Sequence, residues 1–180
     1  GKKDIDHPDI YKETCFGEIK EVCNQKGIDL YEYVKSVEGD EIDDFLKEIW
    51  ESMQKTIEEG ISKEGMIHGK LNLERRAKSI LEKEVNDEDF DLRRTRLLSA
   101  YAYATNEENA TGGIMVTAPT CGASGVLPAV LYYMKKEYGV ADELIIKALA
   151  VAGIIGNVVK RNASISGAEC GCQAEVGTAC

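Results

Sequence analysis

Between Asp40 and Gly60 the apolar residues Ile42, Phe45, Leu46, Ile49, Trp50, Met53 and Ile57 fall at three- and four-residue intervals, the period of a helix with one buried face. The pattern predicts that Asp40 accepts hydrogen bonds from the first free amides and that Gly60 ends the helix in the left-handed conformation. The Met and aromatic stripe of this helix is expected in the core. Upstream, Ile10 to Gln25 and Leu30 to Val37 read as two shorter helices broken at Gly27.

The period lapses from Ile61 to Lys70, where Gly65 and Gly69 flank His68 in a predicted loop. It returns from Leu73 to Val85 and from Glu88 to Thr105, with Phe90, Leu97, Leu98, Tyr101 and Ala104 on one face. A further helix is predicted from Pro128 to Tyr138, closed by Gly139, and another from a capping Asp142 through Val159. In the last one Ala148, Ala150, Ala152, Gly153 and Gly156 would let neighbouring helices approach closely. No alternating strand of convincing length appears, so the expected fold class is all-α, with Gly-rich loops between helices. Composition shifts near Asn109. Residues 1–105 form an acidic helical part and 106–180 a Gly-rich, Cys-containing part of what is expected to be the same domain.

Charge narrows the partners. Of the 32 acidic and 22 basic residues in the 180-residue chain, 24 and 14 lie in residues 1–90, so the net charge of −10 belongs to that half. Such a balance argues against nucleic acid, which needs clustered Lys and Arg to displace counterions, and against an anionic membrane surface. The longest apolar stretch, Leu144 to Val159, is 16 residues and contains Lys147, short of the roughly 20 that a membrane span needs. The first residues, Gly1 to Asp6, are charged rather than a basic region before an apolar stretch, so a cytoplasmic protein is expected.

Residues 109–134 carry no charge and hold four Gly and two Pro. Unpaired backbone groups cost roughly 1–3 kcal/mol each when dry, so irregular apolar chain of this kind is expected at the interior of an active site. Two Gly-rich stretches, Thr117 to Gly125 and Asn162 to Gln173, interleave small hydroxyl residues with Gly and Cys. Their free amides could form nests for a carboxylate or phosphate; the alternative is a pair of tight interhelical turns. Cys170, Cys172 and Cys180 sit within eleven residues and Cys121 lies in the other stretch, a soft donor set suited to zinc or iron–sulfur. Cys15 and Cys23 read as small buried hydrophobes. A Ser/His/Asp triad would have to use His68, with no nucleophile marked, and a pyridoxal-phosphate site would have to use Lys160.

Asn106 to Gly113, Thr117 to Thr120 followed by Gly122-Ala123, Val126 to Tyr133, Asn162 to Glu169 and Gly171 to Gly177 together resemble the iron–sulfur-dependent L-serine dehydratases. Glu58 to Gly65 and Arg75-Arg76-Ala77 are similar to the region just before the catalytic core of the single-chain form. The resemblance implies a lyase of amino-acid degradation and gluconeogenesis that converts L-serine to pyruvate and ammonia. It also implies a [4Fe–4S] cluster held by three cysteines, with a fourth iron open to the substrate hydroxyl. By position Cys172 matches a cluster ligand. The other two ligands of the family come from a later Cys-Asp-Pro…Pro-Cys segment, which the chain does not reach at Cys180. The family's regulatory β domain or subunit is likewise absent, so the 180 residues are expected to be inactive alone and to belong to a homo-oligomer.

Cys121 stands where relatives often carry Asn, and Ser124 where some carry Cys; Cys170 and Cys180 remain spare thiols. Thr117, Thr120, Lys160, Asn162, Ser164 and Ser166 are expected to orient the substrate carboxylate and ammonium, and no catalytic base is assigned. Two other classes remain open: a non-catalytic helical interaction module, and a cysteine-desulfidase-like enzyme sharing the cluster but releasing sulfide.

Overall fold

The computed structural model describes residues 10–68, 72–117 and 121–162, which contain seven helices: α1 (Phe16–Lys26), α2 (Leu30–Glu38), α3 (Ile42–Ser62), α4 (Ala77–Leu81), α5 (Phe90–Ala110), α6 (Val126–Tyr138) and α7 (Asp142–Asn162). Between α3 and α4 a short antiparallel ladder pairs β1 (Met66–Ile67) with β2 (Leu73–Glu74). The fold is all-α, as the periodicity predicts.

Local chemistry sets most boundaries. Asp29 and Glu32 form a reciprocal capping box, each side chain accepting the other's backbone N–H, and start α2. Asp89 accepts from the Leu92 amide and starts α5. Gly27 and Gly139, at φ 65° and 64°, end α1 and α6 in the left-handed conformation.

At the centre α3 packs on α5, and both also contact α4 and α6; α7 covers α3 and α2. The α3 stripe Leu46, Trp50, Met53 and Ile57 meets Leu97, Tyr101 and Ala104 of α5 in one core. Each large side chain there contributes about 1.5–3 kcal/mol by leaving water. Tyr101 and Tyr132 add an edge-to-face contact at 4.9 Å between centroids. The indole N–H of Trp50, buried with the rest of its ring, donates to Asp142 Oδ1 at 2.8 Å, and Lys135 Nζ reaches the same oxygen at 2.6 Å. Asp142 therefore bolts the start of α7 to α3 and α6.

Several sequence expectations are corrected. Gly60 does not end α3; it lies inside the helix, buried, and a Cβ there would stand 2.3 Å from the Ala104 carbonyl oxygen. Absence of a side chain lets two helix backbones touch, a tertiary demand that outranks the stop signal. Asp40 does not cap this helix; Glu41 precedes its first residue and makes no side-chain cap bond. The helix expected over 73–85 shrinks to α4: Leu73–Glu74 pairs with Met66–Ile67 instead, and the helix stops at Leu81. Phe45 and Phe90 are 56% and 60% exposed, Phe45 flanking the stripe and Phe90 lying beside the Arg94 guanidinium. Cys15 is exposed, whereas Cys23 is buried as expected. Of the small residues on α7, Ala150 and Gly156 are buried but Ala148 and Gly153 are exposed, with nothing packed against Gly153. Nor is the uncharged stretch an interior throughout: Thr111 to Ile114, Thr117, Cys121 and Gly122 face solvent, and burial begins at Gly125. No helix among the described residues is long and apolar enough to cross a membrane.

Candidate functional site

Along α5 the buried face runs Leu97, Tyr101, Ala104 and then Glu108, so a carboxylate occupies the next position of an apolar stripe. Glu108 is 2% exposed and its neighbour Glu107 is 4% exposed. A buried carboxylate is costly unless it is paired and hydrogen-bonded, and the partners come from three separate segments. Lys63, at the end of α3, donates to Glu108 Oε2 at 2.5 Å. Arg75, between β2 and α4, donates from Nη1 to Glu108 Oε1 at 2.8 Å and from Nη2 to Thr111 Oγ1 at 3.1 Å. Burial pushes the Glu108 carboxyl up, but the bonds from Lys63 and Arg75 outweigh it and hold the group below the usual carboxylate range.

Glu107 does a different job. Its Oε1 accepts the backbone N–H groups of Arg76 at 2.6 Å and Ala77 at 3.2 Å, holding the start of α4 against α5. Its Oε2 has no hydrogen-bond partner among the described residues and lies 3.9 Å from Arg75 Nη1. The two adjacent glutamates thus share one guanidinium, both facing its Nη1.

Above this knot opens a cavity of about 550 Å³ whose walls include Glu59, Lys63, Glu64, His68, Arg75, Glu108 and the Thr111–Ile114 turn. Gly112 takes φ 80°, and Gly113 donates its N–H to the Glu108 carbonyl at 2.8 Å. A Cβ on Gly113 would press to 3.2 Å from Glu108 Oε2, so the second glycine keeps the turn flush with the carboxylate. The Gly-rich loop that follows is moored to the same helix end: Asn109 Nδ2 and Ser124 Oγ both donate to the Cys121 carbonyl, at 3.5 and 2.7 Å. Gly125 packs on the Ala102 carbonyl and Asn106.

Three of the segments that carry the sequence resemblance, Glu58 to Gly65, Arg75 to Ala77 and Asn106 to Gly113, therefore converge on one pocket. The residues expected to bind substrate are placed less completely. Thr117 is exposed and does not line the pocket. Lys160 is exposed on the last turn of α7, and Asn162 Nδ2 donates to the Thr14 carbonyl at 2.8 Å, tying α7 to the start of α1. Thr120, Ser164, Ser166 and Cys172 lie outside the described residues, as do Cys170 and Cys180. His68 makes no hydrogen bond among the described residues, and none of them forms with it a nucleophile and base. Cys15, Cys23 and Cys121 are free thiols, and the described residues assemble no group of three His, Cys, Asp or Glu side chains able to hold a metal. The described part of the chain by itself does not compose a cluster-binding set.

An all-helical domain with a charged pocket at the end of its central helix is the class that the geometry defines. Over residues 12–180 the chain matches the family described as serine dehydratase alpha chain. It is 46% identical over 142 residues to an L-serine dehydratase of Streptomyces coelicolor, covering 78% of this chain and 31% of that protein. With an L-serine dehydratase of Haemophilus influenzae it shares 48% identity over 139 residues, 75% of this chain and 30% of the relative. With L-serine dehydratase 2 of Escherichia coli it shares 40% over 179 residues, 94% of this chain and 39% of the relative. The chain belongs to the serine dehydratase alpha chain family. It spans about a third of the length of these relatives.

Proposed function

We infer that this chain is the helical catalytic part of an enzyme that dehydrates and deaminates L-serine to pyruvate and ammonia. The observation that carries this reading is the family match over residues 12–180, together with relatives that bear the name L-serine dehydratase. The convergence of three motif segments on one polar pocket supports it physically, because a small zwitterionic substrate needs fixed charges in a partly dry site. Because the chain matches only about a third of each relative, turnover is assigned to the whole protein, in the cytoplasm and as a homo-oligomer, with the β domain or subunit as partner.

A [4Fe–4S] cluster enters the proposal through the resemblance alone, with Cys172 as its one assigned ligand; when bound, it would supply a Lewis acid for the serine hydroxyl. What the described residues contribute is distinct from that. Lys63 and Arg75 hold a fixed charge pattern around Glu108, and the Cys121 loop is anchored to α5 beside it. Thr117, Thr120, Lys160, Asn162, Ser164 and Ser166 are proposed to line the approach of the substrate carboxylate and ammonium.

Anaerobic reconstitution of the whole protein with iron and sulfide, followed by incubation with L-serine, tests the reading. Pyruvate and ammonia in equal amounts are expected. A folded protein that releases neither would favour a non-catalytic helical module, and sulfide from L-cysteine without pyruvate from L-serine would move it to the desulfidase chemistry.

A further inference from the structure

The geometry points to Lys63 as the group that receives the carboxylate of an α-amino acid entering the charged pocket, with Glu59 one turn earlier on α3 facing its ammonium; this rests on the function proposed above. Three facts single out Lys63. It is the member of the buried knot that reaches solvent: its side chain is 44% exposed, against 7% for Arg75 and 2% for Glu108. Its Nζ has three donors and Glu108 Oε2 uses one of them. Arg75, by contrast, is largely buried and commits its guanidinium to Glu108 and Thr111.

The charges are also arranged for a zwitterion rather than for a plain anion or cation. Glu59 on the last turn of α3 and Lys63 just past its end both line the pocket, yet they do not pair with each other. Lys63 is turned to Glu108, and among the described residues the Glu59 carboxylate keeps only a long contact of 3.8 Å to Lys55. Glu64 on the rim is engaged at 2.8 Å by Lys78. One wall thus offers one partly free cation and one loosely held carboxylate side by side. Glu108 fixes the position of Lys63 Nζ through one of its three donors, so a ligand carboxylate can add to Nζ without displacing the buried ion pair.

Calorimetry on the whole reconstituted protein separates a carboxylate subsite from a structural lysine. L-alanine has no hydroxyl to lose, and L-alaninamide lacks the carboxylate as well. The unsubstituted protein is expected to bind L-alanine more tightly than the amide. In Lys63→Met the L-alanine affinity should fall about tenfold or more while that of the amide stays within about twofold, and Lys63→Arg should restore the preference. Turnover should show the same loss mainly in KM for L-serine rather than in kcat. Equal weakening of both ligands, no weakening of either, or no preference in the unsubstituted protein would overturn the assignment. The two proposals fail separately. Carboxylate-selective binding through Lys63 without pyruvate release would refute the activity and keep the subsite; pyruvate release with L-alanine affinity intact in Lys63→Met would do the reverse.

Discussion

Two of the cavities among the described residues are nearly equal in size, and they have little else in common. One, of about 580 Å³, opens between α1, α2 and α7 against Phe16, Cys23, Ile28, Leu30, Tyr31 and Val151. The other, of about 550 Å³, has Glu108, Arg75 and Lys63 in its wall. The first is a seam where side chains of three helices fail to meet completely; the charged residues on it, Lys20, Asp29 and Lys147, are exposed, and the buried Cys23 thiol is pushed above its ordinary range by that burial. The second exists because three segments bring charged groups to one helix end and must satisfy them there. Volume does not distinguish a site from a gap; the cost of the groups that line it does.

If that contrast is right, the charged pocket should be far more sensitive to truncation than the apolar groove. Glu108→Ala leaves Arg75, 7% exposed, without its closest carboxylate. Breaking a buried ion pair costs about 3–5 kcal/mol, and the lower end is expected because Lys63 can turn to water. Urea unfolding followed through the fluorescence of Trp50, the one tryptophan of the chain, reads this directly. A loss under about 1 kcal/mol would place the knot with ordinary surface ion pairs.

The acid limb of stability gives the same comparison a second probe. The Glu108 carboxyl titrates lower in the folded protein than when unfolded, so in acid the unfolded chain binds more protons. The stabilisation it provides is complete above the unfolded carboxylate range and is lost as pH falls through the folded value. Asp142, held low by Lys135 and helped by the Trp50 N–H, and Asp43, held low by Lys35 and Tyr31, act in the same direction. Glu108→Ala should therefore flatten the fall of the urea midpoint below about pH 4.5 without abolishing it.

Next in size is Glu107→Ala, which removes the acceptor for two backbone amides at the start of α4. About 2 kcal/mol is expected, since bonds to a charged acceptor are worth about 1.5–3 kcal/mol and water can reach part of the opened turn. The loss should be local, seen as faster hydrogen exchange at Arg76 and Ala77. Glu107→Gln keeps an oxygen for those amides and should recover much of the protection.

How far the sequence discloses these two regions follows from the kind of interaction each uses. Helix existence and class are legible from period alone, as α3 and α5 show, because an apolar stripe has to be buried somewhere. Gly27 and Gly139 are legible as stops, since nothing tertiary competes there. Gly60 is not, because its partner is a backbone carbonyl at Ala104, forty-four positions away in the chain. The pocket is half legible. The spacing Leu97, Tyr101, Ala104, Glu108 puts an acid on the buried face, a signal that asks for a distant cation, but only the fold names Lys63 and Arg75. The short pairing of Met66–Ile67 with Leu73–Glu74 carries Arg75 to that position, and two-residue strands leave no periodic trace.

The smallest effect belongs to the apolar groove. Val151 on α7 is half-buried, and the space beside it is open rather than filled by a fitted neighbour. Val151→Ala removes two methyl groups whose loss is softened because the groove can relax, so about 0.5–1.5 kcal/mol is expected in the urea midpoint. No residue of the Glu108 knot lines this groove, and α7 is linked to the knot through α3 and, by the Asp142–Lys135 contact, through α6. Affinity for L-alanine should accordingly stay unchanged in this variant, whereas Lys63→Met reduces it. A matching loss from Val151→Ala would mean that the two cavities communicate through the helices between them, and the charged pocket would then be one part of a larger cooperative unit rather than a site defined by its own wall.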